Sequence, residues 1–394
     1  MTLRYISRAV ESALKTAARQ FPVIVLTGPR QTGKSTLLSH LFPSFTHVTL
    51  DDPAQRALAK EDPRLFLETL GDRALIDEIQ YAPELLPYIK MLVDQSRKGR
   101  RRVLLTGSQV FPLMAGLSES LAGRAAVFEL LGFSWEELPV LPRVTAPACF
   151  ERMFRGFYPV PALRQADPRV FYGSYVNTYL ERDIRQIRSV EDLSLFQSFL
   201  QLLAGRVGSP LNLNEVARLC GVSHPTARKW LSLLETTRIV YLLRPYTKNI
   251  TKRVVKSPKL YFTDTGLLAY LLRYPDATTL LHGPLAGAVF ENLVVIDLLK
   301  RKQNLQGRYE LAFYRDSNGN EMDIVLEGGD QKVLLEVKMS QTPRLEWAAA
   351  FEKLGDTFPG AKGRVLCLAD KKMALSKNVE CLPWFEFDPV TAGL

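Results

Sequence analysis

Apolar residues recur along this chain in three different rhythms. In MTLRYISRAVESALKTAARQF (1–21) they return about once per helical turn with charges between them, the pattern of an amphipathic helix. In FPVIVLTG, RALIDEIQ and RRVLLTGSQ they run consecutively and stop at polar residues. Such runs predict strands buried on both faces, as in a parallel sheet between helices. Residues 130–160, rich in Pro and aromatics, read as a linker, and 168–205 show helical spacing. NEVARLC and the segment after Ser223 then predict two short helices around Gly221, followed by a strand pair, RIVYLLRPY and KLYFTD. LAGAVFENLVVIDLLKRK predicts a long apolar helix. In the last strands the period is two: Val333, Leu335 and Val337 face one way and Leu334, Glu336 and Lys338 the other. Upstream, Glu321, Asp323 and Val325 share a face, and EGGD (327–330) closes the hairpin. These patterns predict an α/β, multidomain chain divided into 1–140, a linker and helical lid at 141–195, a helix-turn-helix part at 196–262, and a final α/β part at 263–394.

Composition narrows the setting. The chain has 394 residues, 46% hydrophobic and 23% charged, which suffices for ordinary globular cores. No apolar stretch reaches the roughly 18 residues of a membrane span, and charges break every apolar run of the N-terminus, unlike a secretory signal. The four cysteines, Cys149, Cys220, Cys367 and Cys381, form no Cys-x-x-Cys pair, and the four histidines are scattered. That pattern argues against a zinc site or a disulfide framework and fits a reducing cytoplasm. The net charge is +10. Basic residues concentrate in RKGRRR (97–102) and in RPYTKNITKRVVKSPK (244–259), which has no acid. Such a surplus suits nucleic acid, an acidic membrane surface or an acidic partner, or forms a solvated loop.

The strongest chemical signal is Gly28-Pro29-Arg30-Gln31-Thr32-Gly33-Lys34-Ser35-Thr36, which joins a strand to a helix start. It fits the phosphate-loop spacing, in which backbone N–H groups curl around phosphate oxygens, Lys34 reaches the β- and γ-phosphates of ATP and the Ser35 hydroxyl ligates Mg²⁺. Asp77 and Glu78 end the second strand, where ligands of parallel sheets bind. Asp77 is expected to hold the Mg²⁺ and Glu78 to orient the attacking water, which favours hydrolysis over phosphate transfer to a small molecule. The third strand ends in Thr106, Ser108 and Gln109, with Ser108 the candidate sensor of the γ-phosphate.

GPRQTGKST, ALIDEIQ, LLTGSQ and SLAGRAAVFEL, in this order, resemble a prokaryotic family of AAA-type ATPases. TYLERDI (178–184) and VFENLVV … NEMDIVLE … LLEVKMS resemble the C-terminal domain of unknown function of that family. The resemblance implies a RecA-like P-loop core over 1–140, ATP and Mg²⁺, and assembly of copies into an oligomer such as a hexameric ring. It also matches Arg124 to a recurring Gly-Arg, whose arginine stabilises charge at a γ-phosphate, in the same subunit or across an interface. Arg182, Asp183 and Arg185 contact nucleotide or a neighbour, or form surface ion pairs.

In the middle, Val216, Leu219, Val222, Ala227 and Leu231 are expected to form a small core, with Gly221 in the turn, Ser223 capping and Pro225 in the first turn of the second helix. With the strand pair this makes a winged helix-turn-helix (196–262). Such modules place the second helix in a DNA groove, or serve as protein-binding modules or ATPase lids. The DNA candidates are Arg228, Lys229, Lys248, Lys252, Arg253 and Lys256. In the last part, Glu291 shares a helix face with Val294, Val295 and Leu298, an odd place for a carboxylate without a partner. A helix with Glu291 and a hairpin with Asp323, Glu336 and Lys338 resemble the PD-(D/E)xK nuclease fold. That resemblance implies Mg²⁺ on Asp323 and Glu336, with Glu291 and Lys338 in support. EMD stands where the pattern has PD, and cross-strand ion pairs are common in sheets. Two functions therefore stay open: an ATPase acting on DNA with a nuclease-like domain, and an ATP-gated protein-binding switch in which that domain is an inactive scaffold.

Overall fold

The computed structural model describes residues 5–96, 101–108, 120–163, 166–180, 192–247, 257–305 and 307–394. The described chain falls into two compact units. The first takes the residues up to Phe133 with short stretches at 236–238 and 303–305, and the second takes the rest.

The first unit is built on five parallel strands: β1 (Val23–Thr27), β2 (Thr46–Thr49), β3 (Arg73–Asp77), β4 (Arg102–Gly107) and β5 (Ala125–Glu129). Their order is β2-β3-β4-β1-β5. The consecutive apolar runs have a direct cause. Val25, Ile76 and Leu105 pack into a core on one face of the sheet, and Ile24, Leu26, Leu75 and Leu104 into a second core on the other. With both faces covered, neither alternate position can be polar. The N-terminal helix Glu11–Gln20 lays Leu14 and Ala17 on the second core. Because β1, β3 and β4 run in parallel, their C-terminal ends reach one edge together. That edge receives residues 28–33, Asp77 with Glu78, and Ser108.

The second unit contains a run of helices, a two-stranded pair and a six-stranded sheet. The segment expected to be a linker is in part a helix, Ala146–Arg155, capped by the Thr145 side chain, with Cys149, Phe150 and Met153 buried. Trp135 is buried as well, and its ring meets Trp384 edge-on at 4.7 Å. The aromatics of this stretch are therefore core residues, which Pro-rich spacing concealed. Helix Leu213–Cys220 ends at Gly221, whose left-handed φ of 74° makes the turn, and Ser223 Oγ accepts the Thr226 N–H as the cap of helix His224–Thr236. Val216, Ala227 and Leu231 are buried as expected. Leu219 is not: it is 50% exposed, and Val222 is half-buried. Their places are taken by Trp230, which packs edge-on between Phe196 and Phe199 at 5.3 and 5.4 Å. The preceding helix, Leu193–Ala204, closes this core, and its contribution was not visible in the two-helix spacing.

β6 (Val240–Leu243) and β7 (Lys259–Phe262) pair antiparallel. Two short helices, Thr265–Leu271 and Ala277–His282, and the long helix Ala286–Leu305 follow, then β8 (Glu310–Arg315), β9 (Glu321–Gly328) and β10 (Gln331–Lys338), an antiparallel meander. β11 (Lys362–Cys367) pairs parallel to β10, and β12 (Met373–Ala374) with β13 (Val379–Pro383) completes the sheet in the order β12-β13-β11-β10-β9-β8. Asn292 fixes β7 to the long helix: its amide accepts the Phe262 N–H at 2.7 Å and donates to the Phe262 carbonyl at 2.9 Å. Among the described residues, no helix is long and apolar enough to cross a membrane.

Candidate functional site

The loop after β1 has a shape that its glycines make possible. Gly28 has φ 136° and Gly33 φ 88°. A Cβ on Gly28 would lie 2.2 Å from the Leu130 carbonyl oxygen, so no other residue fits. The helix Lys34–Leu41 begins directly after Gly33, and the N–H groups of its first turn add favourable partial charge for an anion. Lys34 is only 5% exposed, and its ammonium donates to the carbonyl oxygens of Gly28 (3.0 Å) and Pro29 (2.8 Å). Thr32 Oγ1 donates back to the Pro29 carbonyl at 3.0 Å, and Arg30 reaches the Tyr81 hydroxyl at 3.1 Å. Gln31 and Thr36 are exposed.

The ends of β3 and β4 supply the acids. Ser35 Oγ donates to Asp77 Oδ1 at 2.7 Å, and Thr106 Oγ1 donates to the same oxygen. The Thr106 hydroxyl also accepts the Glu78 N–H at 3.2 Å. Glu78 adopts the left-handed region, φ 57°, a sparsely populated conformation for a side-chain-bearing residue. Its Oε2 accepts from Ser108 Oγ at 3.1 Å and from the Gln80 amide. The structure thus brings together Lys34, Ser35, Asp77, Glu78 and Ser108. Ser35 and Asp77 present hard oxygens side by side, the donor chemistry that Mg²⁺ takes while phosphate oxygens and water fill its remaining positions.

Three contributors went unassigned in the sequence. Thr106 is an ordinary strand-end residue until the parallel pairing of β3 and β4 sets it against Asp77 and Glu78, and Gln80 reaches Glu78 from within the same turn. Arg8 lies outside the motif altogether. It is 5% exposed, donates to the carbonyls of Thr32 (3.1 Å), Leu131 (3.0 Å) and Gly132 (3.3 Å), and stands over the Phe133 ring at 4.7 Å. It braces the loop crest from behind. Arg8→Met is expected to weaken ATP binding by about tenfold, since charge-assisted hydrogen bonds contribute roughly 1.5–3 kcal/mol each and the loop relaxes in part. Titration with a fluorescent ATP analogue checks this, and an unchanged Kd would remove Arg8 from the site.

Arg124 sits apart from this cluster. It makes a two-pronged ion pair with Asp94, at 2.5 and 2.9 Å, on the surface of the first unit. The hydrogen bond from Arg124 holds the Asp94 carboxyl below its usual range. Arg182, Asp183, Arg185 and Gln109 lie outside the described residues, as do Lys248, Lys252, Arg253 and Lys256. Arg228 and Lys229 are exposed on the helix His224–Thr236.

In the second unit, Glu291, Asp323, Glu336 and Lys338 gather at one place, joined by residues the sequence did not flag. Lys259, first in β7, points its ammonium at Glu321 (2.7 Å), Glu291 (3.3 Å) and Asp323 (3.6 Å). The Tyr261 hydroxyl donates to Glu291 at 2.6 Å, the Val337 N–H to Asp323 at 2.9 Å, and Lys338 to Glu336 at 2.6 Å. Burial and then the nearby Asp323 charge push the carboxyls of Glu291 and Glu336 up from the usual range. Burial opposes the charge on Lys259, but Glu291, Asp323 and Glu321 outweigh it and hold the ammonium protonated. Glu291 therefore has the partner its apolar helix face called for. Asp323 and Glu336, the pair expected to hold Mg²⁺, thus lie in this cluster; among the described residues no group of three or more His, Cys, Asp or Glu is arranged to hold a metal ion.

Residues 20–139 match the family model of an AAA domain. Two further models match the remainder: Domain of unknown function (DUF8612) over 147–278, and Domain of unknown function (DUF4143) over 286–387. An uncharacterized protein of Mycobacterium tuberculosis and one of Mycobacterium bovis are each 33% identical over 342 residues, 86% of this chain and 75% of theirs. The chain belongs to the family of these two proteins, and its own AAA domain makes it an AAA-type ATPase. A Walker-type ATPase of Pyrococcus abyssi is similar at 16% identity over 68% of this chain and 99% of its own, with a TM-score of 0.44, too low to bear on function. For this AAA-type ATPase the parallel sheet and its loop are the P-loop core, and the second unit is the part matched by the two domains of unknown function.

Proposed function

We propose that this protein hydrolyses ATP with Mg²⁺ at the edge of the five-stranded sheet and uses that cycle to act on DNA through its second unit. The observation that carries the hydrolysis is the side-by-side Ser35 and Asp77, 2.7 Å apart, with Glu78 next in sequence and held by Ser108. Lys34 and the loop N–H groups bind the phosphates, and Ser35 with Asp77 holds the metal. Held there, Mg²⁺ would supply charge neutralisation for the phosphates. Glu78 orients a water and takes its proton, while Ser108 fixes the carboxylate and senses the γ-phosphate. Arg124 acts on a neighbouring copy in an oligomer, which requires release of Asp94.

The DNA part of the reading rests on different support. The helix pair around Gly221 with β6 and β7 suits a winged helix, with Arg228 and Lys229 exposed on its second helix. The basic run 244–259 adds charge for phosphates, with Lys248, Lys252, Arg253 and Lys256 as contacts. The helix with Glu291 and the hairpin of β9 and β10 suit a nuclease-like domain. We place the limits at 1–140, 141–195, 196–262 and 263–394.

The test is ATP hydrolysis and DNA binding at low salt with duplex, single-stranded and four-way-junction DNA. Arg228→Ala with Lys229→Ala is expected to weaken binding across sequences and to flatten the salt dependence by about one unit of slope per lost phosphate contact. Absence of binding to every form at low salt sinks the DNA reading. The second reading, an ATP-gated protein-binding switch, then takes its place. It is favoured by one observation, the engagement of the acidic centre by Lys259.

A further inference from the structure

We infer that the acidic centre of the second unit is an internal ion-pair core whose resident cation is the Lys259 ammonium, and that it takes no divalent metal. The inference rests on the nuclease-like reading only for the expectation that it replaces, and it is independent of the ATPase site.

The argument begins with placement. A surface lysine is a mobile point charge on a flexible stem. Lys259 is not of that kind: its side chain is 3% exposed. Its strand is fixed from both sides, by pairing with β6 and by the two hydrogen bonds between Phe262 and Asn292. Residues alternate in β7, so Lys259 and Tyr261 point the same way, and both reach Glu291. A buried charge is tolerated where it is paired and hydrogen-bonded. Here three carboxylates, from the long helix and from β9, surround one ammonium within 3.6 Å.

The second step concerns the oxygens. Mg²⁺ needs near-octahedral oxygen ligands at roughly 2.1 Å. In this centre each acid already serves a protein donor. Glu291 Oε1 accepts from both Tyr261 and Lys259, Asp323 Oδ2 accepts the Val337 N–H, and Glu336 Oε1 accepts from Lys338. Glu321 is taken by Lys259 at 2.7 Å and faces Arg315 at 3.9 Å. A divalent ion would have to share the centre with a buried ammonium or expel it, and like charges at such range repel strongly. Removing the ammonium is the change that would open the site. The centre thus ties β7 to the hairpin of β9 and β10 and to the long helix. Its work is to hold these elements in register, and the domain serves as a binding platform rather than a phosphodiesterase.

The experiment uses the full chain without nucleotide, in an Asp77→Ala background so that the P-loop contributes no metal site. Free Mn²⁺ is followed by electron paramagnetic resonance. Mn²⁺ is chosen because it shares the carboxylate and water ligand preference of Mg²⁺, the ion expected here, and carries its own paramagnetic signal. No Mn²⁺ is expected to bind up to about 1 mM, the range of weak oxygen sites. One Mn²⁺ per chain, lost on adding Glu336→Gln, overturns the inference. So does Mn²⁺-dependent cutting of duplex DNA that Glu336→Gln abolishes. Lys259→Met is expected to gain a Mn²⁺ site at least about tenfold tighter, because one like charge has left a buried centre. That gain should vanish with Glu336→Gln. Lys259→Arg, which keeps the charge, is expected to stay metal-free, and Mn²⁺ binding by it overturns the inference even if Lys259→Met does not fold. ATP hydrolysis by the wild-type chain is measured in parallel, so a failure of the ATPase reading is seen separately.

Discussion

Alanine in place of Lys34 is expected to lower the rate of ATP hydrolysis by at least about 10²–10³-fold, the usual cost of deleting one pre-aligned donor at a developing charge. The side chain is buried beneath the loop, and its ammonium donates to the Gly28 and Pro29 carbonyls. Burial keeps this charge beside the loop N–H groups, where phosphate oxygens are expected to lie. Alanine removes that charge where the loop N–H groups alone cannot match it. Phosphate release with saturating ATP and Mg²⁺ measures the effect. The fold should survive, because the sheet that carries the loop is held by a separate core on each face. A thermal unfolding scan checks this. Hydrolysis within tenfold of wild type would remove Lys34 from the chemistry.

The second large effect is expected from Glu78→Gln: ATP is still bound, but single-turnover hydrolysis falls by about 10²–10⁴-fold, the usual contribution of a positioned general base. Glutamine keeps the size of the side chain and can still accept from the Ser108 hydroxyl, which lies 3.1 Å from Glu78 Oε2. What it loses is the ability to take a proton. The left-handed backbone at Glu78 supports this assignment, since such a conformation costs of order 1 kcal/mol or more and persists where the surroundings enforce it. Those surroundings are the Thr106 hydroxyl on its N–H and Gln80 with Ser108 on its carboxylate. Rapid mixing with labelled ATP separates binding from cleavage. A variant that binds and cleaves like wild type would show that another group activates the water.

The two variants also separate the two roles. Lys34→Ala should lose affinity and rate together, whereas Glu78→Gln should lose rate alone and so accumulate the ATP-bound form. If ATP binding drives DNA engagement, Glu78→Gln is the form in which DNA affinity should be highest.

The sequence by itself determined the P-loop core. A glycine loop needs positive φ at fixed positions, and a strand covered on both faces needs apolar residues at every step. Both demands are local, so Gly28, Gly33, Lys34, Ser35 and the runs ending at Asp77 and Ser108 could be read directly. The turn at Gly221 and the cap at Ser223 were legible for the same reason. Only the tertiary structure decided what lies far apart in the chain. Arg8 braces the loop from 24 residues away, measured to Thr32. Trp230, rather than Leu219, fills the small helical core because Phe196 and Phe199 arrive from a helix outside the motif. Lys259 carried no signal of its own, being one basic residue at the end of a basic run. Its burial among Glu291, Glu321 and Asp323 follows from β7 being fixed on the long helix next to β9. The acids were visible as a pattern, but the chemistry of a charged cluster depends on which cation occupies it. Ion pairing across such separations leaves no period in the sequence.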